Sequence, residues 1–225
     1  MSTVEQLTDP LAAHGEGPVF SPGWPGVRWV DMHAGDVLEL DAGSGAVARR
    51  HVGPLAAALR PCADGGVVLA LERGFAFADA SLREIRPLAE IWSDPGIRMN
   101  DGGCDPDGRF YCGSMAYDAR AGAGRLYRLA ADGAVTTVLS GVTISNGLAW
   151  SPDGATAYYI DSPTQCIDAF DYDGELTACR TVVRVPEEAG MPDGMTVDAG
   201  GRLWVALWGG AAVHCYTPDG KLEDR

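Results

Sequence analysis

The stretch Asn146-Gly147-Leu148-Ala149-Trp150-Ser151-Pro152-Asp153-Gly154 recurs along this chain in altered form. In each copy a polar side chain lies five positions ahead of a turn, and a short apolar stretch connects the two. The copies are Glu16 before Ser21-Pro22, Asn100 before Asp105-Pro106, Asn146 before Ser151-Pro152, and Asp193 before Asp198, where the proline is missing. Residues far apart in sequence are therefore predicted to occupy equivalent places in the fold.

Short runs of β-prone residues follow the turns at intervals of roughly 40–50 residues, which is the period of a propeller blade. These runs are Val27–Asp31, Val67–Leu71, Arg109–Cys112, Ala157–Asp161 and Leu203–Leu207. A second hairpin follows each run, as in Arg125–Leu129 and Val135–Val138 around Asp132-Gly133. Short antiparallel strands in fours, without helical periodicity, predict an all-β propeller. A β-sandwich is also rich in strands, but it does not repeat its turn chemistry at this interval.

The repeated polar position is predicted to lie at the mouth of the central channel, because the innermost strand of a blade, here Gly147–Trp150, lines that channel. The copy that carries Ala57 at this position indicates that the fold does not require a polar group there. Carboxylate and amide oxygens are the ligands of hard divalent cations. Glu16, Asn146 and Asp193 are therefore predicted to bind a metal ion.

The alternative is that these side chains are turn residues that hydrogen-bond to their own backbone. That explanation treats one residue at a time, and it suits Glu16 badly because glutamate is a poor turn former. Two carboxylates and an amide at one place would also repel one another unless a cation held them.

Composition narrows the classes of partner. With 17 Lys and Arg against 31 Asp and Glu, the net charge of −14 argues against nucleic acid binding and suits metal cations, although solubility alone also explains it. No signal peptide and no membrane-spanning stretch is visible, so a cytoplasmic location is expected. The six cysteines form no Cys-x-x-Cys pair and are predicted to be buried reduced thiols. The sequence also lacks a Gly-x-Ser-x-Gly elbow, which disfavours a serine hydrolase.

Five segments together resemble the SMP-30/gluconolactonase/luciferin-regenerating-enzyme family. They are Gly15–Val19, Arg98–Gly102, Ile144–Leu148, Tyr158–Ser162 and Pro192–Met195. The resemblance runs from about Glu16 to the end of the chain. It implies a single domain over residues 1–225, a propeller of the six-bladed type whose last blade is incomplete here, and one catalytic divalent metal ion.

Carried over residue by residue, the resemblance assigns the metal ligands to Glu16, Asn146 and Asp193. The metal ion is Ca²⁺, Zn²⁺, Mg²⁺ or Mn²⁺, since oxygen ligands accept all four. The resemblance also assigns substrate binding to three further residues, Arg98, Asn100 and Asp118, the last of which is one methylene shorter than the usual glutamate.

The predicted function is hydrolysis of a small sugar lactone by a water molecule that the metal ion activates, with Asp193 as the catalytic residue. Two alternatives stay open at this point. One is a non-catalytic regulatory propeller that binds calcium or another ligand, and the other is a metal-dependent phosphotriesterase.

Overall fold

The computed structural model describes residues 5–225, which divide into two compact units, a first unit of residues 5–100 and a second unit of residues 101–225. The boundary between the units falls within strand β9. Both units consist of four-stranded antiparallel sheets in which consecutive strands are neighbours. Such a meander is the blade of a β-propeller. That residues 1–225 form a single domain remains a prediction.

The first unit contains sheets 1 and 2. Sheet 1 consists of β1 (Gly15–Phe20), β2 (Val27–Asp31), β3 (Asp36–Leu40) and β4 (Val47–His51). Sheet 2 consists of β5 (Ala56–Pro61), β6 (Val67–Leu71), β7 (Phe75–Ala78) and β8 (Ile85–Pro87). The core of sheet 2 is formed by β5 and β6, whose residues are almost all buried.

The second unit contains sheets 4 and 5 and all of sheet 3 except residues 97–100 of its strand β9, which belong to the first unit. Sheet 3 consists of β9 (Ile97–Cys104), β10 (Phe110–Ala116), β11 (Gly124–Leu129) and β12 (Val135–Val142). Sheet 4 consists of β13 (Ser145–Trp150), β14 (Thr156–Asp161), β15 (Cys166–Tyr172) and β16 (Leu176–Arg184). Sheet 5 consists of β17 (Met191–Val197), β18 (Leu203–Trp208), β19 (Ala212–Tyr216) and β20 (Leu222–Asp224).

The all-β propeller class is confirmed, but the predicted six blades with an incomplete last one are wrong. The structure has five sheets of four strands each. Sheet 5 is complete because the turn at Thr217–Gly220 leads into β20, which pairs with β19. At three residues, β20 is too short to produce a strand pattern in the sequence. The predicted second strands Val27–Asp31 and Val67–Leu71 coincide with β2 and β6.

Apolar side chains between neighbouring sheets form the core of the second unit. One cluster joins sheets 3 and 4 through Tyr111, Leu126 and Tyr159. Another joins sheets 4 and 5 through Ile167 and Leu203, which are both fully buried. Each such side chain contributes roughly 1.5–3 kcal/mol by its burial.

An aspartate at the end of the second strand anchors the start of the inner strand in sheets 1 and 4. Asp31 accepts hydrogen bonds from the N–H groups of Ala13–His14 at 3.1 and 3.0 Å. Asp161 accepts the equivalent bonds from Thr143–Ile144 at 3.0 and 2.8 Å. The sequence repeat is thus reproduced by hydrogen bonds at matching positions.

The sequence pattern predicts that the repeated polar position precedes the inner strand. In the structure it lies inside the inner strand, as Asn146 does in β13. In β1, β5, β13 and β17 the pairing with the second strand shifts register within this part of the strand. The shifts fall between Glu16 and Val19, Ala56 and Ala58, Ser145 and Leu148, and Pro192 and Met195. Such β-bulges bend the strand and redirect side chains, and they are common beside functional sites. Residues 16, 57, 146 and 193 are therefore at or within a bulge.

Over residues 5–225, no helix is long and apolar enough to cross a membrane. The six cysteines are free thiols, and the prediction that they are buried is correct only for Cys112, Cys166 and Cys215. Cys179 is exposed because it lies on the outer strand β16.

The backbones of β13 and β17 approach each other closely at Gly147. A Cβ atom added there would lie 2.7 Å from the carbonyl oxygen of Asp193 and 2.8 Å from the amide nitrogen of Met195. Both contacts are too short for any side chain. Glycine at position 147 therefore allows the inner strands of sheets 4 and 5 to meet.

We expect Gly147→Ala to lower the free energy of unfolding by about 1–3 kcal/mol, because the methyl group forces the two strands apart. Chemical denaturation measures the change. Gly23→Ala is the control, since the nearest atom to its added Cβ is 4.0 Å away. Equal stability of the two variants would contradict the close approach.

Candidate metal and substrate site

Asn146 and Asp193 are in contact in the second unit. Asn146 is 6% exposed, and its Nδ2 donates one hydrogen bond to Asp193 Oδ1 and another to Ser162 Oγ, the latter at 3.0 Å. Both N–H groups of the amide are thus engaged. Within residues 5–225, no hydrogen-bond donor contacts Asn146 Oδ1. This oxygen is the Asn146 atom that remains for a ligand.

Asp193 is held in an environment that disfavours its negative charge. Burial raises its pKa to about 6, and the negative charge of Asp101 adds to this effect. Hydrogen bonds from Asn146 and from the backbone of Gly194 oppose the shift only in part. Asp101 is close, since its Oδ2 lies 3.8 Å from the position of a Cβ on Gly194. Two nearby carboxylates therefore share a partly desolvated region.

This donor set fits a divalent cation. An amide oxygen without a donor and a carboxylate with an unfavourable charge are hard ligands of the kind that Ca²⁺, Mg²⁺ and Mn²⁺ prefer. In the described part of the chain, no group of three or more His, Cys, Asp or Glu residues is arranged to hold a metal ion. A cation at this place would therefore depend on the Asn146 amide as well as on carboxylates.

Glu16 lies in the first unit, at the position in β1 that Asn146 occupies in β13. Its side chain is 28% exposed, and its Oε1 lies 3.3 Å from His14 Nε2. The ring of His14 packs edge-on against His33, with 4.7 Å between the ring centroids. Burial and the neighbouring charges of His33 and Arg98 lower the pKa of His14. That Glu16 is a metal ligand remains a prediction.

The structure brings Arg98 and Asn100 together in the first unit. Both are buried in β9, and Arg98 Nη1 donates to Asn100 Oδ1 at 2.7 Å and to the carbonyl oxygen of Met99 at 3.0 Å. Arg98 also contacts the Met32 sulfur at 3.1 Å. The guanidinium group therefore has a fixed position, and it is not a solvated loop charge. That the two residues bind substrate remains a prediction.

Asp118 lies apart from the Asn146–Asp193 pair. It follows β10, its side chain is 65% exposed, and its carboxylate pairs with Arg120 at 3.3 Å. Among the described residues, no hydrogen bond or ion pair connects it to Asn146 or Asp193. Its predicted role in substrate binding therefore has no contact in its favour.

Sequence reasoning missed two residues of this site, Asp101 and Ser162. Asp101 stands where the copies with Glu16, Asn146 and Asp193 have glycine, and that departure was the available sign of a second carboxylate. Ser162 belongs to the segment Tyr158–Ser162, but nothing in the sequence shows that its hydroxyl reaches Asn146.

Comparisons with known proteins identify the family. The family model described as SMP-30/Gluconolactonase/LRE-like region matches residues 14–225. Regucalcin of Danio rerio is 37% identical over 209 residues, which are 91% of this chain and 71% of that protein. Pentonolactonase XacC of Haloferax volcanii is 36% identical over an alignment of 228 positions, which covers 99% of this chain and 76% of that protein. A solved structure of a calcium-binding protein, regucalcin from Agrobacterium tumefaciens, superposes with a TM-score of 0.91 at 31% identity and covers 97% of this chain and 76% of that one. The chain therefore belongs to the SMP-30/gluconolactonase/LRE-like family.

Proposed function

We propose that this chain is a metal-dependent hydrolase that opens sugar lactones, and that Asn146 and Asp193 hold the cation. The observation that carries this proposal is the Asn146 amide oxygen, which has no donor although it is fixed beside the half-buried carboxylate of Asp193. The pentonolactonase relative supports the substrate class. Glu16 is proposed as a further ligand on the basis of its equivalent place in the repeat.

A divalent cation supplies Lewis acidity, which polarises an ester carbonyl and makes water a stronger acid. The residues of the protein position the reacting groups and accept the proton. Asn146 Nδ2 donates a hydrogen bond to Asp193 Oδ1, and the Asp193 carboxylate is the group that accepts a proton from the attacking water in this proposal. No Ser or Cys nucleophile is required for this chemistry.

Arg98, Asn100 and Asp118 are proposed to bind the hydroxyl groups of the sugar. The hydrogen bond between Arg98 and Asn100 supports this, because it orders two polar side chains before any ligand arrives. Asp118 contributes a carboxylate on the exposed loop after β10. A site built to pair hydroxyl groups rejects analogues that lack them, since its own polar groups are then left unpaired.

A non-catalytic, calcium-binding role is the second candidate. It is supported by the relatives that are named regucalcin, one of which is described as a calcium-binding protein. Both candidates use the same ligands, so metal binding alone does not separate them. Among residues 5–225, no contact favours a phosphotriesterase.

Incubation of the protein with a panel of aldonolactones and a divalent metal ion is expected to release acid, which a pH indicator detects. Asp193→Asn is expected to lower kcat/KM by roughly 10²–10⁴-fold, because it removes the proton acceptor. Asp173→Asn, in the exposed turn before β16, is the control. Metal binding without acid from any lactone would favour the calcium-binding role.

Metal-free Asp193→Asn is expected to be more stable than the parent at neutral pH. The folded-state pKa of Asp193 is about 6, above the ordinary value of 3.8, so the charged carboxylate costs stability. This cost is absent below about pH 4, grows as the pH rises toward 6, and is complete above it. We expect a gain of about 1–3 kcal/mol at pH 8 and a gain about 1 kcal/mol smaller at pH 5. Denaturation with a chelator present measures both, and an equal gain at the two pH values would contradict the raised pKa.

Glu16→Gln is expected to weaken metal binding at least tenfold, because a neutral amide replaces a charged ligand. Isothermal titration with Ca²⁺ and Mn²⁺ measures the affinity. The exposed Glu84→Gln serves as control. Unchanged affinity in Glu16→Gln would remove Glu16 from the ligand set and leave the Asn146–Asp193 pair in place.

A further inference from the structure

Ser162 connects the end of β14 to the site through its hydroxyl group. The residue is 3% exposed, and its Oγ accepts a hydrogen bond from Asn146 Nδ2 at 3.0 Å. Its backbone N–H donates to the carbonyl oxygen of Ile144 at 3.1 Å, two residues before Asn146. Ser162 thus forms hydrogen bonds at the beginning of β13 through both its side chain and its backbone.

Sheet 1 shows which of these contacts the fold itself requires. Met32 occupies the place of Ser162 there, directly after the anchoring Asp31, and its N–H donates to the carbonyl oxygen of His14 at 2.9 Å. The turn therefore forms equally well around a side chain without a hydroxyl group. The backbone contact is common to both sheets, whereas the hydroxyl contact is specific to the sheet that carries Asn146.

The hydroxyl group determines which end of the Asn146 amide points to the ligand position. Ser162 Oγ and Asp193 Oδ1 both accept from Nδ2, so the amide oxygen is directed away from both. A rotation of the amide by a half turn would place its oxygen against a carboxylate. Asp193 alone cannot secure the orientation, because in the proposed function the same carboxylate also binds the cation.

We propose that Ser162 is a positioning residue that orients the Asn146 amide, with Oδ1 toward the cation. The proposal rests on the proposed function in one respect, that Asn146 Oδ1 binds a cation. It follows the general pattern in which the ligands of a metal ion are themselves held by hydrogen bonds from outside the coordination sphere.

The test compares Ser162→Ala with Ser162→Thr by isothermal titration of Ca²⁺ and Mn²⁺. Ser162→Ala is expected to bind about 10-fold to 100-fold more weakly, the usual effect of losing such a partner. Ser162→Thr keeps the hydroxyl group and is expected to stay within about threefold of the parent. If the added methyl group unfolds the chain, Ser162→Cys, a weaker acceptor of similar size, is expected to fall between parent and alanine.

Thr164→Ala is the matched control. Thr164 Oγ1 donates to the carbonyl oxygen of Asp161 at 2.8 Å in the same turn but does not contact Asn146, so metal affinity should not change. If Ser162 had only a structural role, Ser162→Ala and Thr164→Ala would both lower the melting temperature of the metal-free protein, and neither would selectively lose metal affinity. The side-chain amide resonances of Asn146 in the metal-free protein give a second readout, and they should shift in Ser162→Ala only.

The outcomes separate this inference from the proposed function. If Asn146→Ala abolishes metal binding while Ser162→Ala binds as tightly as the parent, the role of Ser162 is overturned and the proposed ligands stand. If Asn146→Ala binds the metal ion normally, the proposed ligands are wrong, and the inference about Ser162 fails with them.

Discussion

The close approach of β13 and β17 at Gly147 is the constraint on which the site in the second unit depends. Strands in different sheets are normally separated by the side chains between them. Here a backbone carbonyl and a backbone amide of β17 lie within 2.8 Å of the position that a Cβ atom on Gly147 would take, and this close approach brings Asn146 within hydrogen-bonding distance of Asp193. The missing side chain at position 147 therefore permits a contact between polar side chains of two sheets.

The negative charge of Asp193 opposes folding. Asp193 is partly desolvated and faces the charge of Asp101, so the metal-free protein keeps a carboxylate whose ionisation is unfavourable. Proteins commonly retain such strain where ligands bind, since the ligand relieves it. Other buried carboxylates have a cationic partner, as Asp31 has in Arg49 and Asp105 in Arg109. Those ion pairs stabilise the fold, whereas the neighbouring charge of Asp101 raises the pKa of Asp193.

The sequence predicted most of the strands because turn chemistry repeats with them. Pro and Gly at fixed offsets mark the turns, and the second strands β2 and β6 could be given to the residue. The wrong count of six blades came from the family resemblance, whereas the five β-prone runs of the repeat match the five sheets. The last sheet looked incomplete because β20 has only three residues and leaves no periodic pattern. The repeat also located Asn146 and Asp193, but it could not show that they lie in bulges, since a bulge is a matter of register between strands. The burial of Arg98, the charge of Asp101 and the reach of Ser162 depend on neighbours distant in sequence, which a linear pattern does not reveal.

The bulge in β5 carries Ala57, which is fully buried. Sheet 2 therefore has the same β-bulge without a polar side chain on it. Backbone geometry and ligand chemistry are thus separable in this chain. Such a fold can gain or lose a polar side chain in one sheet while the backbone hydrogen bonds of all its sheets stay the same. A single substitution at residue 16, 57, 146 or 193 would therefore change the polar atoms of one sheet without changing its strand pairing.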